Sequence, residues 1–302
     1  MSMIFHPEID KQANRLIHSI QKLGKMKVFF ANTMLTMLSR LNKIDKTLVD
    51  TKVRCFREDG KKVQAHWIWR EEEDPSRNRG IMLYFHGGAF LLKESPHAKR
   101  IVMDYVKNTS FDVLSVDYHL GEKSGIEGCL KDAKAALLWA KEFYDTILVA
   151  GDSAGGYLAA WLALEAKQKQ IFPIAGQMLI YPVLDPYADT ASMKKYTKAP
   201  LWNSVLSLEM RNRVFPKGSI DPYRLHLKDV SGLPPTYLEA HEHDCLHDEG
   251  VRYAALLQKH QVSVQLHDVK GSFHGVEFLD KTNFVKTLIA NRIAFLQTIS
   301  TE

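Results

Sequence analysis

The sequence predicts an α/β protein: a mostly parallel, eight-stranded-type sheet flanked by helices, with a helical cap. Three observations carry this. Short, apolar, β-branched runs alternate with helix-length amphipathic stretches from residue 80 onward. An antiparallel hairpin precedes them and makes the sheet mixed. The chain has 302 residues, of which 45% are hydrophobic and 25% charged, enough material for one large core.

The elements follow in order. Ile9, Ala13, Leu16, Ile17, Ile20 and Leu23 form one helical stripe, and beyond Gly24, Phe30, Met34, Met37, Leu38 and Leu41 form a second. Both faces are expected to pack on the parent domain, since their polar sides are not enriched in Lys and Arg as a membrane-surface helix requires. "TKVRCF" and "VQAHWIW" flank the turn "REDGKK" as a hairpin. Strands are expected at 80–85, 112–117, 146–151, 175–181, 235–240 and 262–269. Helices are expected near 97–107, 126–143, 154–168, 248–260 and 282–299. Residues 185–225 do not fit the alternation. They are too long for a plain connection and carry one helical stripe (Leu206, Met210, Val214), as insertions that lid a site do.

Charge and composition exclude several classes. The net charge of +5 is spread along the chain without a basic block, which gives nucleic-acid binding no support. Cys55, Cys129 and Cys245 are sparse and lack C-x-x-C spacing, so reduced, mostly buried thiols are expected. The N-terminus has no basic segment followed by an apolar one, and "VFFANTMLTML" falls short of the roughly 18 apolar residues of a membrane span. A cytoplasmic protein with no membrane span is the expectation.

The chemistry is concentrated at "ILVAGDSAGGYLAA", where a predicted strand breaks and a helix begins around Gly151-Asp152-Ser153-Ala154-Gly155. A turn this sharp strains the serine backbone and requires small neighbours, which Gly151, Gly155 and Gly156 supply. It also leaves N–H groups at the helix start facing the hydroxyl. G-x-S-x-G by itself recurs by chance as an ordinary Gly-rich junction. A second stretch, "YFHGGAF" (84–90), tells against chance. It follows the strand 80–85 and presents consecutive unobstructed N–H groups. Gly88, Ala89 and Ala154 can donate to a developing oxyanion, with Gly87 letting the backbone bend close.

A serine nucleophile needs a base, and the base an orienting acid. Among thirteen histidines, His274 lies in a Gly-flanked loop at the carboxyl end of the strand 262–269. Asp244 follows the strand 235–240 in "HEHDCLHDEG". Both belong to one sheet edge, in the chain order Ser153, Asp244, His274.

"YFHGGAF", "SVDYHL", "AGDSAGGYLAA", "EHDCLHDEG" and "FHG" together resemble the motif set of the hormone-sensitive-lipase-like branch of the α/β-hydrolase fold, over roughly residues 60–295. The resemblance implies a carboxylesterase or lipolytic esterase with Ser153 as nucleophile, Asp244 as acid and His274 as base. It implies an oxyanion hole of Gly87, Gly88, Ala89 and Ala154. It further implies a cap built from residues 1–50 and the insertion at about 185–225, over a catalytic domain of residues 51–302. Two departures stand out: Ala89 replaces the third glycine of H-G-G-G, and "GEK" follows "DYHL" where relatives often carry Ala-Pro-Glu.

Other readings use the same residues differently. His241, His243 and His247 with Asp244 form a dense cluster that a metallohydrolase would use, although His241 and His243 are expected to point to different sides and no distant further ligand is evident. Asp248 and Glu249 are expected at a helix N-terminus, where carboxylates complement the dipole. Gibberellin receptors resemble this branch but lack the catalytic histidine, which is present here as His274. An amidase or arylacetamide-deacetylase-like hydrolase would use the same three residues. The expectation is therefore a serine-dependent hydrolase of small, short-chain acyl esters with no metal or organic cofactor.

Overall fold

A computed structural model of the chain describes residues 3–17, 25–41, 45–71, 80–187, 189–218 and 221–299. Eight strands form one sheet: β1 (Leu48–Phe56), β2 (Lys62–Arg70), β3 (Gly80–Phe85), β4 (Phe111–Asp117), β5 (Ile147–Asp152), β6 (Ile174–Ile180), β7 (Thr236–His241) and β8 (Val264–Val269). Their spatial order is β1-β2-β4-β3-β5-β6-β7-β8. Only β1–β2 and β2–β4 pair antiparallel, and all the rest pair parallel.

The described helices are α1 (Asp10–Leu16), α2 (Lys25–Leu41), α3 (Pro96–Asn108), α4 (Gly121–Ala140), α5 (Ala154–Gln168), α6 (Ala191–Lys195), α7 (Ser204–Val214), α8 (His247–Lys259) and α9 (Asn283–Thr298). Strand alternation decides which helices cover which face. Met82, Tyr84, Leu148, Ala150, Met178, Ile180 and Tyr237 pack against α3 and α9, while Ile81, Leu83, Phe85, Val149, Leu179 and Leu238 pack against α4, α5 and α8. Burial on both faces is why β3 reads as an unbroken apolar run. Because β3, β5, β7 and β8 run parallel, the segments that follow them gather along one edge.

Three differences from the sequence expectations have local causes. The fourth helix starts at Gly121, before the expected residue 126, and Gly125 (φ 63°, ψ 177°) kinks it there. The insertion holds a second, short helix, α6, capped by the Thr190 side chain accepting from Met193 N. The expected packing of the second N-terminal stripe is reversed at its described side chains: Phe30, Met34, Met37 and Leu38 are exposed, while the Leu41 side chain lies outside those described. The inward side of α2 instead carries Val28, Asn32 and Leu35. The Asn32 amide makes the contact, donating to Leu91 O (2.9 Å) and accepting from Lys93 N (2.9 Å). In the first stripe Ile9 and Ala13 are buried as expected, whereas Ile20 and Leu23 lie outside the described residues.

The insertion is tied shut at its base. Asp185, buried, accepts two hydrogen bonds from Arg224 (Nε 3.1 Å, Nη2 2.9 Å). Cys55, Cys129 and Cys245 are buried free thiols, and burial pushes Cys55 and Cys129 up to about 12. No described helix is long and apolar enough to cross a membrane.

Candidate active site

Ser153 occupies the turn between β5 and α5 at φ 54°, ψ −117°, a conformation that L-residues rarely adopt. Its neighbours have to be glycine. A Cβ on Gly155 would lie 1.8 Å from Phe85 O, one on Gly151 2.4 Å from the Gly155 carbonyl carbon, and one on Gly156 2.6 Å from Pro182. The turn is fastened by Ser153 N donating to Ile180 O (2.9 Å) and Val183 N donating to Ser153 O (3.0 Å).

The three residues singled out by the sequence meet. Ser153 Oγ lies 2.9 Å from His274 Nε2, and His274 Nδ1 lies 2.6 Å from Asp244 Oδ2. A carboxylate only accepts, so Nδ1 carries the proton toward Asp244 and Nε2 presents its lone pair to the serine hydroxyl. Leu246 N donates to the other Asp244 oxygen (2.9 Å) and fixes the carboxylate plane. All three side chains are buried. Tyr181 packs on the His274 ring at 4.5 Å between centroids.

The loop after β3 passes through three successive left-handed residues, Gly88 (φ 117°), Ala89 (φ 58°) and Phe90 (φ 56°). The N–H groups of Gly88, Ala89 and Ala154 donate to no acceptor among the described residues. Gly87 behaves differently from its expected part in the oxyanion hole. Its N–H is committed to Asp152 Oδ1 (2.9 Å), which also accepts from Tyr84 Oη (2.7 Å). A Cβ at Gly87 would lie 2.2 Å from Asp152 Oδ2, so glycine is required for this approach. Asp152, the residue before the serine, therefore anchors the donor loop. Burial, with Glu277 nearby, pushes its carboxyl above the usual range despite the Tyr84 hydrogen bond.

Ser153, His274, Gly88 and Ala89 open onto a cleft of about 250 Å³ walled by Leu92, Ile101, Leu201, Trp202, Leu206 and Phe278, with Leu35 of α2 at its rim. Residues near the start of the chain hold the histidine loop: His6 N donates to Gly271 O (3.0 Å), and Phe5 packs edge-on against Phe273.

Beneath the cleft is a charged network that sequence reasoning missed. Arg292 of α9 is buried between Glu239 (2.6 Å) and Glu277, and Tyr181 Oη donates to Glu277 Oε2 (2.6 Å). His241 lies 3.3 Å from Glu239, with its other ring nitrogen 3.0 Å from Phe273 O. Burial alone would raise both glutamates; Arg292 outweighs it and holds both below the usual carboxylate range. Burial lowers His241, but the hydrogen bond and charge of Glu239 carry it above its ordinary value. The one signal available was a charged residue inside the otherwise apolar strand "PTYLEA".

The remaining cluster residues go separate ways. His243 Nε2 donates to Ile4 O (2.7 Å), and His247 sits between Asp248 (2.9 Å) and Asp268 (3.2 Å). Among the described residues no group of three or more His, Cys, Asp or Glu is placed to hold a metal ion. Asp248 accepts from Ser192 N (2.8 Å), and Glu249, also in the first turn of α8, accepts from Leu184 N (2.8 Å). Asp248 therefore holds the insertion, and Glu249 the residue that leads into it.

Residues 82–278 match the family model described as alpha/beta hydrolase fold. The chain belongs to the α/β-hydrolase family, in its hormone-sensitive-lipase-like branch. It is 30% identical over 209 residues to Esterase LipI of Mycobacterium tuberculosis, covering 65% of this chain and 65% of LipI. It is 28% identical over 229 residues to Ethyl acetate hydrolase of Pseudomonas putida, covering 72% of each chain. Among solved structures it is similar to Bacterial Heroin Esterase, with a TM-score of 0.88, 26% identity and 98% of both chains covered.

The buried network gives a pH-dependent test. Arg292→Met strands two carboxylates and is expected to cost about 3–5 kcal/mol near neutral pH. In the native protein both folded pKa values are depressed, so the stabilisation is complete above the unfolded value of about 4.3 and is lost as pH falls through the folded values. Without Arg292, burial raises the folded values, and protonation then favours the folded state. The Tm gap between the two proteins should narrow from about pH 7 to about pH 5; a gap that stays constant or widens would contradict the assignment.

Proposed function

We propose that this chain is a serine-dependent carboxylic-ester hydrolase acting on short-chain acyl esters through an acyl-enzyme on Ser153. The observation that carries the reading is the continuous hydrogen-bonded line from Ser153 Oγ through His274 to Asp244, at 2.9 and 2.6 Å, beside N–H groups that have no acceptor among the described residues. Ser153 Oγ attacks the ester carbonyl as His274 Nε2 takes its proton. The oxyanion settles on the N–H groups of Gly88, Ala89 and Ala154, each such donor typically worth about 10²–10³ in rate. Asp244 stays ionised and stabilises the imidazolium. His274 then protonates the leaving alcohol, which departs as the carbonyl reforms. Water, deprotonated by His274, attacks the acyl-enzyme, and His274 returns that proton to Ser153 Oγ as the acid is released. These residues handle every proton and charge in the cycle, so the reading calls for no metal or organic cofactor.

Short acyl chains follow from the walls of the cleft. In this reading residues 1–50 and the 185–225 insertion are the cap of a catalytic domain spanning 51–302. Leu35 comes from the first part of the cap, and Leu201, Trp202 and Leu206 from the second. Similarity to a protein named Ethyl acetate hydrolase is in keeping with this.

Two measurements test the reading. Asp244→Asn should lower kcat by roughly 10⁴, the loss typical of an imidazole held in the wrong tautomer. Asp248→Asn should lower it far less, since Asp248 bonds Ser192 and His247 instead; equal losses would mean the wrong acid. Across acetyl, butyryl, hexanoyl, octanoyl and palmitoyl esters, kcat/KM should rise about fourfold per buried methylene, equivalent to about 0.8 kcal/mol, and then fall once the pocket is full. A maximum at octanoyl or beyond would overturn the short-chain assignment.

A further inference from the structure

A second cavity of about 540 Å³ adjoins the cleft, roofed by Leu35 and Thr36 of α2 and walled by residues of β1, β2, β4 and α3. The two cavities share Leu35, His86 and Lys93, so they meet beside the donor loop. Their characters are opposite. Asp50, Glu94 and Asp117 line the second cavity together with Lys52, Lys93 and Lys99, three charges of each sign. Part of this set is already organised: Asp50 holds His66 (2.7 Å) and Lys99 (2.7 Å), and Glu94 accepts from Ser115 Oγ (2.7 Å).

Other groups are left open. The side chains of Lys52, Gln64 and Asp117 make no hydrogen bond or ion pair among the described residues. At the junction, His86 is buried, and its Nε2 has no partner among the described residues. Its Nδ1 lies 2.7 Å from Gly87 O and must carry the proton, which leaves Nε2 as an acceptor in the neutral ring. Leaving a buried acceptor without a partner is unfavourable, and a hydroxyl donor would relieve this.

We propose that this polar chamber binds the alcohol half of the substrate, and that this half is a polyhydroxylated alcohol of the glycerol or sugar kind. The inference rests on the ester-hydrolase reading, in which the acyl chain fills the apolar cleft; the adjoining cavity, which meets the cleft beside Gly88 and Ala89, is then open to the alcohol. Balanced charge argues against an ionic leaving group. Interspersed donors and acceptors suit hydroxyls, each of which donates once and accepts twice.

The test compares butyrate release by the purified full-length protein from 1-monobutyrylglycerol and from ethyl butyrate, which share an acyl group. The kcat/KM ratio should favour the glycerol ester about tenfold or more, because a site built to bond hydroxyls discriminates against an alcohol that lacks them. Gln64→Trp, at an exposed position on the chamber wall, and the near-isosteric Glu94→Gln should each bring the ratio toward one. A wild-type ratio near or below one, or a ratio that neither variant moves, overturns the chamber while the hydrolase reading stands. Failure to hydrolyse either ester overturns both.

Discussion

The backbone of Ser153, held at φ 54° and ψ −117°, is the constraint on which the rest of the site depends. Conformations of this kind cost of order 1–3 kcal/mol and persist only where the surroundings over-determine them. Here the surroundings are the central strands. β5 and the start of α5 press so closely on the end of β3 that Gly155 would clash with Phe85 O if it carried a side chain. The small residues of "GGYLAAWLALEA" let α5 sink into the core, where nearly all of its length is buried. The turn is thus a product of core packing, and the serine is presented by the least movable part of the molecule.

That same closeness couples the serine to its donor loop. Asp152 precedes Ser153 and reaches across to Gly87 N and Tyr84 Oη. The side chain next to Ser153 in sequence therefore positions the loop that, in the proposed mechanism, receives the oxyanion. On the other side, Tyr181 touches both His274 and the Glu277–Arg292–Glu239 network. Charges buried this deeply are held in one geometry, because any displacement would leave an ion without its partner.

Much of this was legible in the sequence because it is local or repeats with a period. Strand and helix patterns placed all eight strands, and the order Ser153, Asp244, His274 at strand ends anticipated residues that the fold brings within hydrogen-bond reach. Long-range pairings were not legible. Arg292 sits 53 positions from Glu239 in a helix where an arginine normally faces water. The role of Asp152 depends on a glycine 65 residues away. The orientation of α2 was not legible because its inward contact is made by Asn32, which donates to Leu91 O and accepts from Lys93 N, a pairing invisible to a hydrophobic pattern.

The central claim is that Ser153 forms a covalent acyl-enzyme, and active-site labelling tests it most directly. A fluorophosphonate should add once per chain, on the peptide containing Ser153 by mass spectrometry, and abolish ester hydrolysis in proportion to labelling. Ser153→Ala should take up no label and turn over no ester while keeping its Tm within a few degrees, since alanine fits the same turn. Labelling at another residue, or a Ser153→Ala protein that still hydrolyses esters until EDTA stops it, would contradict the account.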